Sequence, residues 1–239
     1  MSGDKITFTV DGVPVEASWD QTIIQACDAA GIYIPRLCHH PDLQPAGHCR
    51  ICTCKVNGRR SAACVTPAAQ GMVVENNTPE MNADRQVLVE MLFIEGNHFC
   101  PYCEKSGNCE LQALGYFLGL TGPRQPYRWP QRELDASHPD IFIDRNRCVL
   151  CSRCIRASQT EDGKTVFGFE GRGIHVRINV DGPRLDETKI AAADKAVHVC
   201  PVGCIVIKRT GYRTPYGHRM FDEKPIGSDI SAIRSGSGK

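Results

Sequence analysis

Cysteine is the residue type with the most chemistry to offer in this chain: 14 of its 239 residues are cysteine, in three groups separated by cysteine-free stretches. Cys38, Cys49, Cys52 and Cys64 are spaced C-x10-C-x2-C-x11-C. Four thiolates in one segment satisfy a cluster of two irons, two sulfurs to each iron. They would also satisfy tetrahedral Zn2+, although zinc ribbons usually present two C-x2-C knuckles where this group has one. Cys100, Cys103 and Cys109 supply three thiolates as C-x2-C-x5-C, one short of what a four-iron cubane needs. A nearby imidazole is the natural completion, and a neutral ligand in place of a thiolate raises the cluster potential. Cys148, Cys151 and Cys154 form C-x2-C-x2-C, which suits three corners of a cubane and suits a single tetrahedral ion poorly. In two-cluster proteins a further cysteine, after three intervening residues, serves the other cluster. That position here is Ser158, so a lone cluster must draw its fourth ligand from a remote cysteine followed by proline, and Cys200-Pro201 supplies it.

Eleven cysteines are used in this way, leaving Cys27, Cys54 and Cys204. Cys27 falls on an apolar helix face and Cys54 in a strand, so both read as small buried hydrophobes. Cys204, four residues after Cys200, has no second triplet to join and reads as structural. His48 and His198 stand near ligands and could hydrogen-bond to them.

The elements that must position these groups can be read from the pattern. Residues 5–10 alternate polar and apolar, Asp11-Gly12 signals a hairpin turn, and residues 13–17 return as a second strand. Asp20 is placed to cap a helix carrying Ile23, Ile24, Cys27 and Ala30, with Gly31 ending it. Residues 51–57 and 72–74 read as further strands, giving a small mixed sheet on one helix. Apolar residues at Val87, Leu88, Met91, Leu92 and Ile94 give a helical stripe over 84–95, and a second follows Cys109 through Leu111, Leu114, Phe117 and Leu118. Two helices thus flank the Cys100 group. Pro123, Pro126, Pro130 and Pro139 mark 121–139 as an extended connector. Strands are expected at 141–143, 166–169 and 174–180, and a helix over 188–197. The Ser/Gly-rich stretch 228–239 reads as disordered.

With these residues in place, the chain resembles the iron-sulfur region that opens the large electron-transfer subunit of complex I, the 75 kDa type, and that of iron-only hydrogenases. The run from Ala46 to Val56 carries the likeness for the first group. The stretch from His98 to Gln112, ending Cys-Glu-Leu-Gln, resembles the family's [4Fe-4S] motif with one histidine and three cysteines. The resemblance implies His98 as fourth ligand to Cys100, Cys103 and Cys109. One departure stands out: the family commonly places three residues between its His and the first Cys, a position occupied here by Gly96, whereas only Phe99 separates His98 from Cys100.

The implied fold class is α+β: an N-terminal β-grasp [2Fe-2S] ferredoxin-like domain (1–79), a helical [4Fe-4S] segment (80–122), the connector (123–139), a C-terminal ferredoxin-like [4Fe-4S] domain (140–210) and a tail (211–239) that docks on a partner or is disordered. A chain that ends soon after the last cluster is most similar to the HoxU-type small diaphorase subunits of soluble NAD-reducing [NiFe] hydrogenases. The resemblance implies one [2Fe-2S] and two [4Fe-4S] clusters in this chain. It places FMN, NAD and the NiFe site on partners, an FMN/NAD-binding diaphorase subunit and the small and large hydrogenase subunits. The alternatives are an equivalent subunit of an NAD-dependent formate dehydrogenase or complex I-like enzyme, or a zinc-stabilised scaffold with no redox role.

Composition narrows the classes further. Charges balance to +1, which argues against a nucleic-acid binder. No apolar run approaches the ~20 residues of a membrane helix. Neither G-x-G-x-x-G nor G-x-x-x-x-G-K-[ST] occurs, and residues 168–173 match neither. The start lacks an export leader, so a reducing cytoplasmic location is expected, where clustered cysteine means metal or catalysis rather than disulfides.

Overall fold

The computed structural model describes residues 5–235. The chain divides into two compact units: the first takes in the chain up to His39, Pro45–Leu88 and the chain from Lys224; the second takes in His40–Gln44 and Val89–Glu223.

In the first unit, β1 (Lys5–Val10) and β2 (Val13–Ser18) form the expected hairpin, closed by Asp11 and Gly12 at φ 49° and 79°. Both central residues are left-handed, the geometry that matches strand twist and favours Asp-Gly. Helix α1 (Ile23–Ala29) is capped not by Asp20 but by Thr22, whose hydroxyl accepts from the Gln25 amide while the Gln25 side chain accepts from the Thr22 amide. This reciprocal pair satisfies two otherwise orphaned donors, which Asp20 is too far upstream to do. The sheet is completed by β3 (Thr53–Val56), β4 (Arg59–Ala62) and β5 (Val73–Glu75) in the order β2-β1-β5-β3-β4. Strand β5 runs parallel to β1 and antiparallel to β3, the mixed sheet on one helix that the pattern implied. Phe8, Val10, Val15, Ile23, Ile24 and Val74 fill the space between sheet and helix, with Cys27 and Cys54 fully buried among them.

Helix α2 (Pro79–Ile94) forms as the stripe suggested, but its buried face is rotated. Met81, Arg85 and Val89 are at most 1% exposed, whereas Val87 and Met91 are about half exposed. The i, i+4, i+8 row that faces inward thus includes an arginine, and the apolar stripe read from composition is partly solvent-facing.

In the second unit, α3 (Glu110–Phe117) follows Cys109 as expected. Strands β6 (Leu134–Asp135) and β7 (Ile141–Asp144) come next, then α4 (Arg153–Thr160), β8 (Phe167–Glu170), β9 (Arg177–Val180), α5 (Lys195–His198) and β10 (Ile205–Ile207). One sheet has the order β10-β7-β6, and β8 pairs β9 as a hairpin. The helix expected over 188–197 shrinks to α5, because Asp162 Oδ atoms accept the Lys195 and Ala196 amides and start the helix there.

Helix α6 (Met220–Glu223) ends a strap, described with the site below. The disorder expected over 228–239 is corrected for the described residues: Ser228–Ser235 form helix α7 in the first unit, while 236–239 lie outside the described residues. Close packing explains this order. A Cβ on Gly31, at φ 71°, would stand 2.6 Å from the Arg234 backbone nitrogen, so α7 rests directly on the glycine that ends α1.

Candidate metal centres

In the first unit the four thiols of Cys38, Cys49, Cys52 and Cys64 are hydrogen-bonded in series, Cys49 to Cys38 to Cys64 to Cys52. The loop bringing Cys49 and Cys52 to Cys38 turns on Gly47 and on Arg50, at φ 67° and 60°. Its backbone points amides at sulfur: Cys38 and Cys49 donate to each other's Sγ at 3.4 Å, and the His48 and Ile51 amides add to them. The hydrogen bonds from Cys49 and Cys64 hold the Cys38 thiol far below the ordinary range, and the one from Cys64 brings Cys52 to about 7. Cys54, by contrast, is pushed up to about 12 by burial and stays a thiol.

The platform under this loop is Arg85, which the sequence did not single out. Its Nε donates to the Ile51 carbonyl (3.1 Å), Nη2 to the Thr53 carbonyl (3.1 Å) and Nη1 to the Asn76 carbonyl (2.8 Å). The guanidinium therefore bonds the backbone on both sides of Cys52.

In the second unit, Cys100 opens a 3-10 turn (Cys100–Tyr102), Cys103 ends it and Cys109 caps α3. The amides of Leu111 and Gln112, in the first turn of α3, point at the Cys109 sulfur, and the Lys105 amide points at Cys103. Burial raises all three thiols, Cys109 to about 12. His98 is held by a hydrogen bond to the Leu92 backbone and edge-on against Phe93, 5.7 Å between ring centres. Burial lowers its pKa to about 4, so the ring is neutral near pH 7, and Nε2 is buried with no hydrogen-bond partner. That nitrogen lies over Gly96, where a Cβ would stand 2.5 Å from it. The histidine that the family motif places at 96 is thus replaced by a glycine that makes room for the ring of His98.

The run 212–221 had no evident place in a cluster domain and was expected to dock on a partner or to be solvated. It packs on the chain's own second loop. Phe221 N donates to the Gly107 carbonyl, Met220 N to Asn108 Oδ1, and Arg219 Nη1 to Ser106 Oγ. Arg219 lies 4.1 Å over the Tyr216 ring and pairs with Asp222.

The third group lines an apolar pocket with Leu150, Phe169, Ile178 and Val202. The turn from Cys148 to Cys154 holds Leu150 and Ser152 left-handed, at φ 51° and 60°. Non-glycine residues adopt that conformation at a cost, and here it turns the Leu150 amide onto Cys148 Sγ at 3.4 Å and the Arg153 amide onto Cys151. Cys154 is close enough to Cys148, Cys151 and Cys200 for their charges to act on it. Cys204 lies on the Cys148–Cys200 edge, where its thiol bonds both; this holds Cys200 at about 6 and Cys204 well above 9. Ser158, in the place of the missing cysteine, is buried and bonded to backbone, donating to the Lys164 carbonyl and accepting from Val166. His198 Nε2 is taken up by the Ala192 carbonyl at 2.9 Å.

Among the described residues, no three His, Cys, Asp or Glu donors converge at single-ion distances. The thiols contact one another and backbone amides, and soft sulfur donors ringed by N–H groups are the environment that iron-sulfur centres take. No described helix is long and apolar enough to cross a membrane.

Three family models match in the order of the three groups: a 2Fe-2S iron-sulfur cluster binding domain at residues 3–79, an NADH-ubiquinone oxidoreductase-G iron-sulfur binding region at 85–124, and a 4Fe-4S single cluster domain at 141–207. The chain is 40% identical over 222 residues to the gamma subunit of the NAD-reducing hydrogenase HoxS of Cupriavidus necator, covering 92% of this chain and 95% of that one. A subunit of the NADH-quinone oxidoreductase of Mycobacterium bovis is 33% identical over 92% of this chain, which spans 27% of that protein. A chain of the crystal structure of an NAD+-reducing [NiFe]-hydrogenase in the H2-reduced state superposes with a TM-score of 0.91 at 44% identity, covering 96% of this chain and 98% of that one.

Proposed function

Because the chain belongs to the family of gamma subunits of NAD-reducing hydrogenases, iron-sulfur electron-transfer proteins related to the large iron-sulfur subunits of complex I, we propose that it relays single electrons between a [NiFe] hydrogenase module and an FMN/NAD(H)-binding diaphorase subunit in the cytoplasm. Its own cofactors are one [2Fe-2S] cluster on Cys38, Cys49, Cys52 and Cys64, and two [4Fe-4S] clusters. One of these is on His98, Cys100, Cys103 and Cys109, the other on Cys148, Cys151, Cys154 and Cys200. When bound, such clusters supply one-electron chemistry, which the partner's flavin converts to hydride transfer. The observation that carries the reading is the sulfur geometry: each group of thiols is gathered in a loop whose backbone amides face the sulfurs. The protein's part is to hold the thiolates, lend N–H donors to them and keep water out.

Cys200 rather than Cys204 takes the fourth corner, because it precedes Pro201 as the remote cysteine of a lone four-iron cluster does, while Cys204 stays a buried thiol bonded to Cys148 and Cys200. His98 supports its role by a neutral ring whose second nitrogen is fixed by Leu92, so that the Nε2 lone pair is available.

Anaerobic purification from its host should give a brown protein with about ten irons and about ten acid-labile sulfides, accompanied by a nickel-containing subunit. Stoichiometric zinc without visible absorbance overturns the relay, and a co-purifying catalytic subunit without nickel redirects it to another dehydrogenase. At residue level, His98→Ala should change only the EPR signal of the cluster on Cys100, Cys103 and Cys109. His98→Cys should restore a four-iron signal at lower potential, since it adds a negative ligand. A spectrum unchanged in both variants removes His98 from the ligand set.

A further inference from the structure

Arg147 belongs to both proposed four-iron sites. Its backbone immediately precedes Cys148, while its guanidinium ends on the other loop: Nη1 lies 3.6 Å from Cys103 Sγ, 2.8 Å from the Glu104 carboxylate and 3.5 Å from the Gly203 carbonyl. Nε pairs with Asp144 at 2.9 Å, and only 18% of the side chain is exposed. Gly203, between Cys200 and Cys204, closes the same junction. A Cβ there would stand 2.5 Å from Cys103 Sγ and 3.4 Å from Arg147 Nη1, so only glycine lets the two loops meet. Two further links tie them: Glu110 N, next to Cys109, donates to the Pro201 carbonyl, next to Cys200, at 2.9 Å; and Glu110 receives a two-pronged bond from Arg153, next to Cys154, at 2.6 and 2.7 Å.

We propose that Arg147 is the positioning residue of the electron junction between these two loops. It holds Cys103 against Gly203, and its fixed positive charge raises the reduction potential of the cluster that Cys103 helps to hold. The inference rests on the cluster assignment proposed above. The step served is the transfer of one electron, the donor cluster losing it and the acceptor cluster gaining it, with no bond made or broken. Reduction adds negative charge at the thiolates, so a guanidinium donating to one of them favours the reduced form. The adjacent carboxylates of Glu104 and Asp144 oppose this in part, which sets the size of the effect and gives it a second handle.

The test is an EPR-monitored redox titration of the anaerobically purified complex. Cys103→Ser is measured first: if both four-iron signals are unchanged, the cluster assignment itself fails. Given an altered signal, Arg147→Gln should lower the midpoint of that cluster and shift the electron's distribution between the two clusters at least tenfold, or about 59 mV for one electron. Arg147→Lys, which keeps the charge but loses the fork, should recover at least half of that shift. A midpoint unmoved in Arg147→Gln overturns the inference while leaving the assignment standing. Should that variant not assemble, Glu104→Gln reads the same charge balance from the other side. Its midpoint is expected to rise, and one that stays or falls overturns the inference.

Discussion

Replacing Cys151 with Ala is expected to remove one four-iron EPR signal and about four irons from the protein while the two-iron signal persists. Cys151 is 8% exposed, and burial, helped by the nearby Cys200 and Cys148 charges, raises its thiol to about 12. An unmetallated site therefore carries a protonated, desolvated sulfur between two left-handed non-glycine residues, Leu150 and Ser152. Each such residue costs on the order of 1 kcal/mol, an expense that ligation offsets, since metal binding free energy is also folding free energy. The variant should thus lose thermal stability as well as iron. Cys204→Ala provides the contrast: it removes a thiol on one edge of the group and should leave the four-iron signal in place, whereas Cys200→Ala should abolish it. If Cys204→Ala loses the signal and Cys200→Ala keeps it, the fourth corner has been assigned to the wrong sulfur.

Arg85→Met should destabilise the protein by roughly 3–5 kcal/mol, because three backbone carbonyls and the Asn76 side chain lose a charged donor at a site 1% exposed. At about 2–4 °C per kcal/mol for a protein of this size, the melting temperature falls by roughly 10 °C. The same bonds fix the Ile51 and Thr53 carbonyls on either side of Cys52, so the two-iron signal should broaden or be lost first on warming. Arg85→Lys should rescue little, since an ammonium cannot reach Ile51, Thr53 and Asn76 together. A melting temperature within about 2 °C of the parent in Arg85→Met would show that other contacts hold this loop.

The three cysteine groups and the iron-sulfur domains they mark were legible in the sequence because sulfur spacing is a local quantity: C-x2-C-x2-C and C-x2-C-x5-C stand out before any fold is known. The Asp11-Gly12 hairpin was legible for the same reason. Arg85 and Arg147 were not, because an arginine in a helix or loop is ordinarily solvated, and only tertiary contact turns it inward. A hint existed in both cases. Arg147 and Arg153 each stand immediately before a cysteine of the third group, and Arg85 falls four residues from both Met81 and Val89. The position of Cys204 was illegible because it depends on how residues 200–205 turn after Pro201. The order of 228–235 was missed because composition, rich in Ser and Gly, says nothing of the Gly31 surface that receives the helix.

That surface has a consequence for how the molecule is made. The unit that carries Cys38, Cys49, Cys52 and Cys64 includes a helix, α7, encoded after every residue of the second unit. During synthesis the ribosome delivers the strands and thiols of the first unit before the second unit, and α7 after it. The unit begun first therefore completes its packing on Gly31 only after the whole second unit has been made.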